Sequence, residues 1–168
     1  WVMYILCAPH RSAQRIWWSG LLLIAALGAR ALARRVGITG SYALLAAGLY
    51  AVGPYYLQYL SKESGLLPSW SAAPWLIVCG ISAAENSGWR WPARFGLVVA
   101  LISSLNAATP IYVLVGPVAW LLADVITGRN TLRRVVVAGL RCGATTIALC
   151  FWWMVGLSVQ GKYGVRIL

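Results

Sequence analysis

The sequence predicts an all-α fold, a polytopic transmembrane bundle of about six spans, and three observations carry that reading. Of 168 residues, 61% are hydrophobic and 10% charged, against about a quarter charged in soluble domains. The apolar residues fall in long runs, near the ~20 residues a helix needs to cross a ~30 Å hydrocarbon core. The Arg residues gather in short segments between those runs, as the positive-inside rule expects of cytoplasmic loops. The whole chain, 1–168, is read as one transmembrane domain.

The opening WVMYILCAPH is apolar but too short to cross, and Pro9 closes it before Arg11 and Arg15. It is the end of a helix or an interfacial segment. The first span, 16–34, begins with Trp17 and Trp18 at an interface and stops at Arg34 and Arg35. Arg30 lies about one turn earlier, close enough to snorkel. The second span, 40–60, carries Pro54 followed by Tyr55, Tyr56 and Tyr59, an aromatic belt at its far end. The polar SKESG marks a loop. The third span, 66–84, leads into ENSGWRWPAR, where Trp89 and Trp91 accompany Arg90 and Arg94.

The next uncharged run, Phe95 to Ala123, has 29 residues, about 43 Å as one helix and too long for the core. Asn106, Thr109 and Pro110 interrupt it, and Pro removes a backbone donor while disfavouring helix in the residue before it. A hairpin turning at NAATP follows, with arms 91–107 and 110–126. Charge agrees: one span would put Arg90 and Arg94 opposite Arg129, Arg133 and Arg134, whereas a hairpin puts them together. A re-entrant or tilted pair is the alternative for such short arms. The last span, 135–159, holds Arg141 about two turns inside its basic end and Trp152 and Trp153 toward the other. The chain then starts and ends outside, with Arg34, Arg35, Arg90, Arg94, Arg129, Arg133 and Arg134 cytoplasmic.

Net charge is +11, with Glu63, Glu85 and Asp124 as the acidic residues. Topology accounts for the excess; no basic stripe interleaved with aromatics points to nucleic acid. The cytoplasmic Arg residues would meet anionic lipid or an acidic protein. Cys7, Cys79, Cys142 and Cys150 have no C-x-x-C spacing, so neither a disulfide nor a metal site is expected, and no cofactor motif occurs. His10 has no partner at ligand spacing.

Gly139 and Gly143 have the small-xxx-small spacing of close helix contacts, although 17 glycines make chance matches common. The 18 Trp and Tyr residues read chiefly as interfacial anchors and secondarily as rings on which sugars stack. Asp124 reads as a local ion pair with Arg129, and Glu85, beside Asn86 and Arg90, as a solvated charge. Glu63, between Lys62 and Ser64, is the one carboxylate on the expected outer face. It is the candidate catalytic base, with a solvated loop charge as the plain alternative.

Four stretches, QRIWWSGLLL, SGLLPSWSAAPWLIV, GWRWPARFGLVVALISSLNAATPIYVLVGPVAWLL and CFWWMVGLSVQGKYGVRIL, resemble the membrane core of actinobacterial α-(1→3)-arabinofuranosyltransferases of the GT-C superfamily. The likeness is most specific at Leu67, Pro68, Pro74 and Trp75, at Gly88 to Ala93 with Asn106 and Ala107, and in the WW-x-x-GL-x-x-QG-x-YG ending. It implies a partial GT-C membrane core whose parent enzyme transfers arabinofuranose from a decaprenyl-phosphate donor to arabinan of the cell wall, outside the plasma membrane. It carries over Lys62, Glu63, Ser64, Asn106, Lys162 and Tyr163 as outer-face positions near sugar or phosphate, with Lys62 and Lys162 for the phosphate. The family's carboxylate usually sits in an earlier outer loop. With no initiator Met, the chain is read as an internal piece, expected to be inactive alone and to lack the later helices and the extracellular carbohydrate-binding region. The competing readings are half of a transporter or flippase, for which Ser103, Ser104 and Asn106 are meagre midplane polarity, and a non-enzymatic scaffold. The topology makes a direct prediction: a cysteine at Lys62 labels with impermeant reagent from outside the cell and one at Arg129 does not, and equal labelling would sink the hairpin.

Overall fold

The computed structural model describes residues 10–60, 64–105 and 108–163. The opening WVMYILCAP, residues 61–63 of the SKESG loop, Asn106 and Ala107 of the NAATP turn, and 164–168 lie outside the described residues. Within them, all regular structure is helical: α1 (His10–Arg35), α2 (Gly40–Ala51), α3 (Pro54–Leu60), a 3₁₀ turn (Ser64–Leu66), α4 (Leu67–Glu85), α5 (Arg90–Ser103), α6 (Thr109–Ile126) and α7 (Leu132–Tyr163). Three of them, α1, α4 and α7, are long and apolar enough to cross a membrane. Two compact units result, one up to Val78 and one from Cys79.

The first unit is organised by small residues. Ala25, Ala29 and Ala33 recur every fourth position on α1, Ala43, Ala47 and Ala51 do so on α2, and all six are buried where the two helices pack. Spacing by four puts them on one face, and the lack of bulk lets backbones approach. Between the helices, α1 ends in a Schellman motif: Ile38 N–H donates to the Ala33 carbonyl at 2.9 Å and Gly37 N–H to that of Arg34 at 3.2 Å. Gly37 takes φ of +90°, where a side chain is strained. Gly28 faces the indole of Trp75 so closely that an added Cβ would lie 2.7 Å from its Nε1. That nitrogen donates to the Ile24 carbonyl at 2.9 Å.

The stretch 40–60, expected as one span, is two helices. Pro54 starts α3, where its missing N–H costs nothing, and its ring pushes Gly53 out of helical geometry. The end of α2 is closed by Val52 N–H on the Gly48 carbonyl at 3.0 Å.

In the second unit α5 buries Pro92, Phe95, Gly96, Val99, Ile102 and Ser103, a stripe at helical spacing, and packs chiefly on α7. Gly96 is the contact point: a Cβ there would lie 2.9 Å from the Thr145 backbone. Across the same contact Thr145 Oγ1 is 2.7 Å from the Pro92 carbonyl, and Ser103 Oγ is 3.7 Å from Cys150 Sγ. Gly139 and Gly143, the pair that spacing singled out, make no such contact, since a Cβ on either meets nothing within 4 Å. The long apolar run 95–123 is divided between α5, which ends at Ser103, and α6, which begins at Thr109.

Many large apolar side chains point away from these contacts. Leu45 is 61% exposed, Leu140 69% and Tyr112 78%, while alanines fill the contact between α1 and α2. A water-soluble fold would reverse that arrangement; one surrounded by hydrocarbon has no reason to. Gly96→Ala is therefore expected to lower unfolding stability in lipid–detergent micelles by about 1–3 kcal/mol. Gly139→Ala should leave it unchanged or raise it by up to about 1 kcal/mol, and the opposite order would refute the contact assignment.

Candidate functional site

Two chemically distinct places stand out, one in each unit. In the first, Pro74 lies inside α4 and leaves the carbonyl four residues back, that of Trp70, without its helical donor. Tyr50 supplies one: its hydroxyl donates to the Trp70 carbonyl at 2.8 Å, and its ring stacks on the Trp70 indole with centroids 5.0 Å apart and planes 5° from parallel. Tyr55 and Tyr56 approach the same indole at 6.4 and 5.4 Å, and Tyr59 lies 4.5 Å from Tyr55. Tyr56 is buried with Leu21 and Leu67, flanked by Trp18, Leu22, Tyr59 and Trp70. The rings expected to anchor at an interface thus also pack on one another, next in sequence to the SKESG loop. Tyr55 keeps 41% of its surface exposed, a face of the kind on which a sugar ring stacks.

Of the outer-face candidates, Lys62, Glu63 and Asn106 lie outside the described residues. Ser64 opens the 3₁₀ turn and Tyr163 closes α7. Lys162 is in the last turn of α7 and exposed.

In the second unit a cavity of about 730 Å³ opens where the end of α4 and the loop after it meet the start of α7. Glu85, Asn86, Ser87, Arg133, Arg134 and Arg141 contribute its polar lining. Arg141 is held on two sides: Nη1 donates to the Ser87 carbonyl, and the guanidinium lies 5.5 Å from the Trp89 ring centroid. Asn86 is tied back to the Ser82 carbonyl at 2.8 Å. Arg133 and Arg134 are exposed in the first turn of α7. Arg94, on α5, packs its guanidinium 4.6 Å from the Trp91 ring.

Asp124 departs from the sequence reading. Its carboxylate accepts from Asn130 Nδ2 at 3.1 Å instead of pairing with Arg129. The cause is the end of α6, where Gly128 takes φ of +70° and both Arg129 and Asn130 turn their N–H groups onto the Asp124 carbonyl, at 2.9 and 3.2 Å. The residue that sequence undervalued is Arg141. Its signal was a cation deep inside an apolar run, which needs a partner; the partners, Ser87 and Trp89, are more than fifty positions away.

These features define a helical membrane protein with an aromatic cluster in one unit and a basic cavity in the other. The family described as alpha-(1->3)-arabinofuranosyltransferase, N-terminal GT-C domain, matches residues 1–168, and the chain belongs to that family. The likeness first seen in the LP-x5-PW, GWR-x-PA and terminal aromatic motifs is thereby shown at the level of family. No curated protein and no solved structure matches the chain. The family is one of glycosyltransferases, which implies a sugar donor and a sugar acceptor.

The aromatic site yields its own test. Tyr50→Phe keeps the stack but orphans the partly buried Trp70 carbonyl, and is expected to cost about 1 kcal/mol of unfolding stability. No loss would mean that the carbonyl left by Pro74 does not need the hydroxyl.

Proposed function

We propose that this chain is membrane core of an enzyme that moves an arabinofuranosyl unit from decaprenyl phosphate to an arabinan hydroxyl on the outer face of the plasma membrane. The observation that carries the reading is the family match over residues 1–168. In this reading six spans, 16–34, 40–60, 66–84, 91–107, 110–126 and 135–159, cross the bilayer, the second broken at Pro54. The Lys62–Ser64 loop, Asn106 and the Lys162–Tyr163 end face outward. Arg90, Arg94, Arg129, Arg133 and Arg134 face the cytoplasm, toward anionic lipid or an acidic protein.

A polyprenyl-phosphate donor suits a membrane enzyme because its hydrocarbon stays in the bilayer while the sugar phosphate sits at the surface. The acceptor oxygen attacks the anomeric carbon, the bond to the phosphate oxygen breaks with its electron pair, and the acceptor proton passes to a carboxylate. Lys62 and Lys162 would take up the charge that grows on the departing phosphate. Ser64, Asn106 and Tyr163 would hydrogen-bond sugar hydroxyls. Glu63, as the outer-face carboxylate, is the candidate base within this chain. Tyr55, Tyr59 and Trp70 flank, in sequence, the loop that carries Lys62, Glu63 and Ser64.

The test uses the full-length enzyme in proteoliposomes with decaprenyl-phosphoryl arabinofuranose and a synthetic oligoarabinan. Transfer of labelled arabinose to the acceptor is expected, with Glu63→Gln lowering kcat about 10²-fold or more and Lys162→Gln lowering kcat/KM. Labelled donor crossing the vesicle wall with no transfer to acceptor would instead identify a transporter and overturn the proposal.

A further inference from the structure

We propose that the cavity at the start of α7, together with an apolar groove that continues from it along the same helix, binds an anionic phospholipid. The headgroup phosphate lies against Arg133, Arg134 and Arg141, and the hydrocarbon occupies the groove. The proposal rests on reading this end of the second unit as a membrane surface, and it turns a general attraction of Arg residues for lipid into one built site.

Charge is the first argument. Three Arg residues line the cavity, with Glu85 the one carboxylate among its described lining residues. A helix start already presents unpaired N–H groups and the positive end of the dipole, which carboxylates normally offset. The first turn of α7 has no acidic residue and instead places Arg133 and Arg134 there. Dipole and side chains therefore add with the same sign, and an anion bound at the helix start relieves both.

Preorganisation is the second. Arg141 lies about 14 Å along α7 from its first residue. With one nitrogen on the Ser87 carbonyl and its face toward Trp89, it is already ordered before a phosphate arrives. A guanidinium fixed in that way meets phosphate oxygens in a two-pronged geometry that a freely moving lysine does not match.

The groove supplies the third. It has a volume of about 270 Å³ and meets the basic cavity at Ala138, which lines both. Phe95, Pro117, Gly139, Cys142 and Gly143 are among its lining residues. Gly139 and Gly143 give it a floor of bare backbone, since neither has a neighbour within 4 Å of an added Cβ. The pair that spacing suggested for helix contact thus makes room for a chain. Thr146 also lines this groove, and its Oγ1 is buried with no hydrogen-bond partner in the protein. It lies about 8 Å beyond Arg141 along the helix, where a glycerol-ester carbonyl would accept its proton while the phosphate reached the guanidinium. A phosphate head, a nearby acceptor and a hydrocarbon tail in that order describe a glycerophospholipid better than a free anion.

The probe is phosphatidylglycerol in phosphatidylcholine nanodiscs holding the purified full chain, with affinity read from displacement of a fluorescent phosphatidylglycerol. Arg133→Gln/Arg134→Gln should weaken binding about tenfold or more. Gly143→Leu, which fills the groove, and Thr146→Val should each weaken it several-fold while leaving the weaker competition by inorganic phosphate unchanged. Arg34→Gln/Arg35→Gln, removing equal charge from the other unit, should change nothing. Equal loss in both Arg pairs would overturn the site in favour of diffuse surface charge. Full binding by Gly143→Leu and Thr146→Val, with inorganic phosphate competing as well as the lipid, would overturn the lipid in favour of a free-phosphate site. Because the readout is lipid binding, it stands or falls independently of arabinose transfer, and the two groove variants carry the test should the Arg pair fail to fold.

Discussion

Helices surrounded by hydrocarbon gain little by burying apolar surface against one another, because lipid tails are as apolar as leucine. What remains is close packing, together with the demand that every backbone polar group find a partner inside the protein. The structure answers the first requirement with small residues. The alanine rows of α1 and α2 and the bare backbone of Gly96 against Thr145 bring helices together. Many of the leucines, among them Leu45 and Leu140, are turned outward, where they cost nothing.

The second requirement explains the placement of the chemistry. Two of the prolines, Pro74 and Pro54, show this: one frees a carbonyl and the other starts a new helix. Pro74 releases the Trp70 carbonyl, Tyr50 takes it, and two further tyrosines, Tyr55 and Tyr56, gather about the same indole. Pro54 breaks the preceding helix so that this cluster sits directly before the SKESG loop. In the second unit the cation inside the apolar run, Arg141, is held by a loop carbonyl and a ring. Its side chain also lines the basic cavity.

Much of this was readable from sequence. Runs of apolar length, the prolines and the Arg clusters mark where helices begin and stop, because those signals act within a few residues of where they are written. Gly37 and Gly128, both at positive φ, lie just past the ends of α1 and α6. Contacts between distant positions were not readable. Gly139 and Gly143 carried the motif while Gly96 and the alanine rows made the contacts, since four-residue spacing occurs by chance in a chain so rich in small residues. Asp124 lay five residues from Arg129 yet bonds Asn130, because the Gly128 cap decides which group faces the carboxylate. The aromatic stack joins residues twenty positions apart, and nothing local in either tyrosine or tryptophan announces it. Of the outer-face candidates, the family likeness supplied the positions and the described structure adds the exposed Lys162.

The central claim is that steric closeness, not apolar burial, holds these helices together, and a pair of substitutions on α2 separates the two. Ala47 is buried against α1 and Leu45 is 61% exposed. Reversible unfolding in phospholipid bicelles should show Ala47→Leu, which adds apolar surface, destabilising by about 1–3 kcal/mol. Leu45→Ala, which removes it, should stay within about 0.5 kcal/mol of the parent. A stabilising Ala47→Leu together with a costly Leu45→Ala would contradict the account.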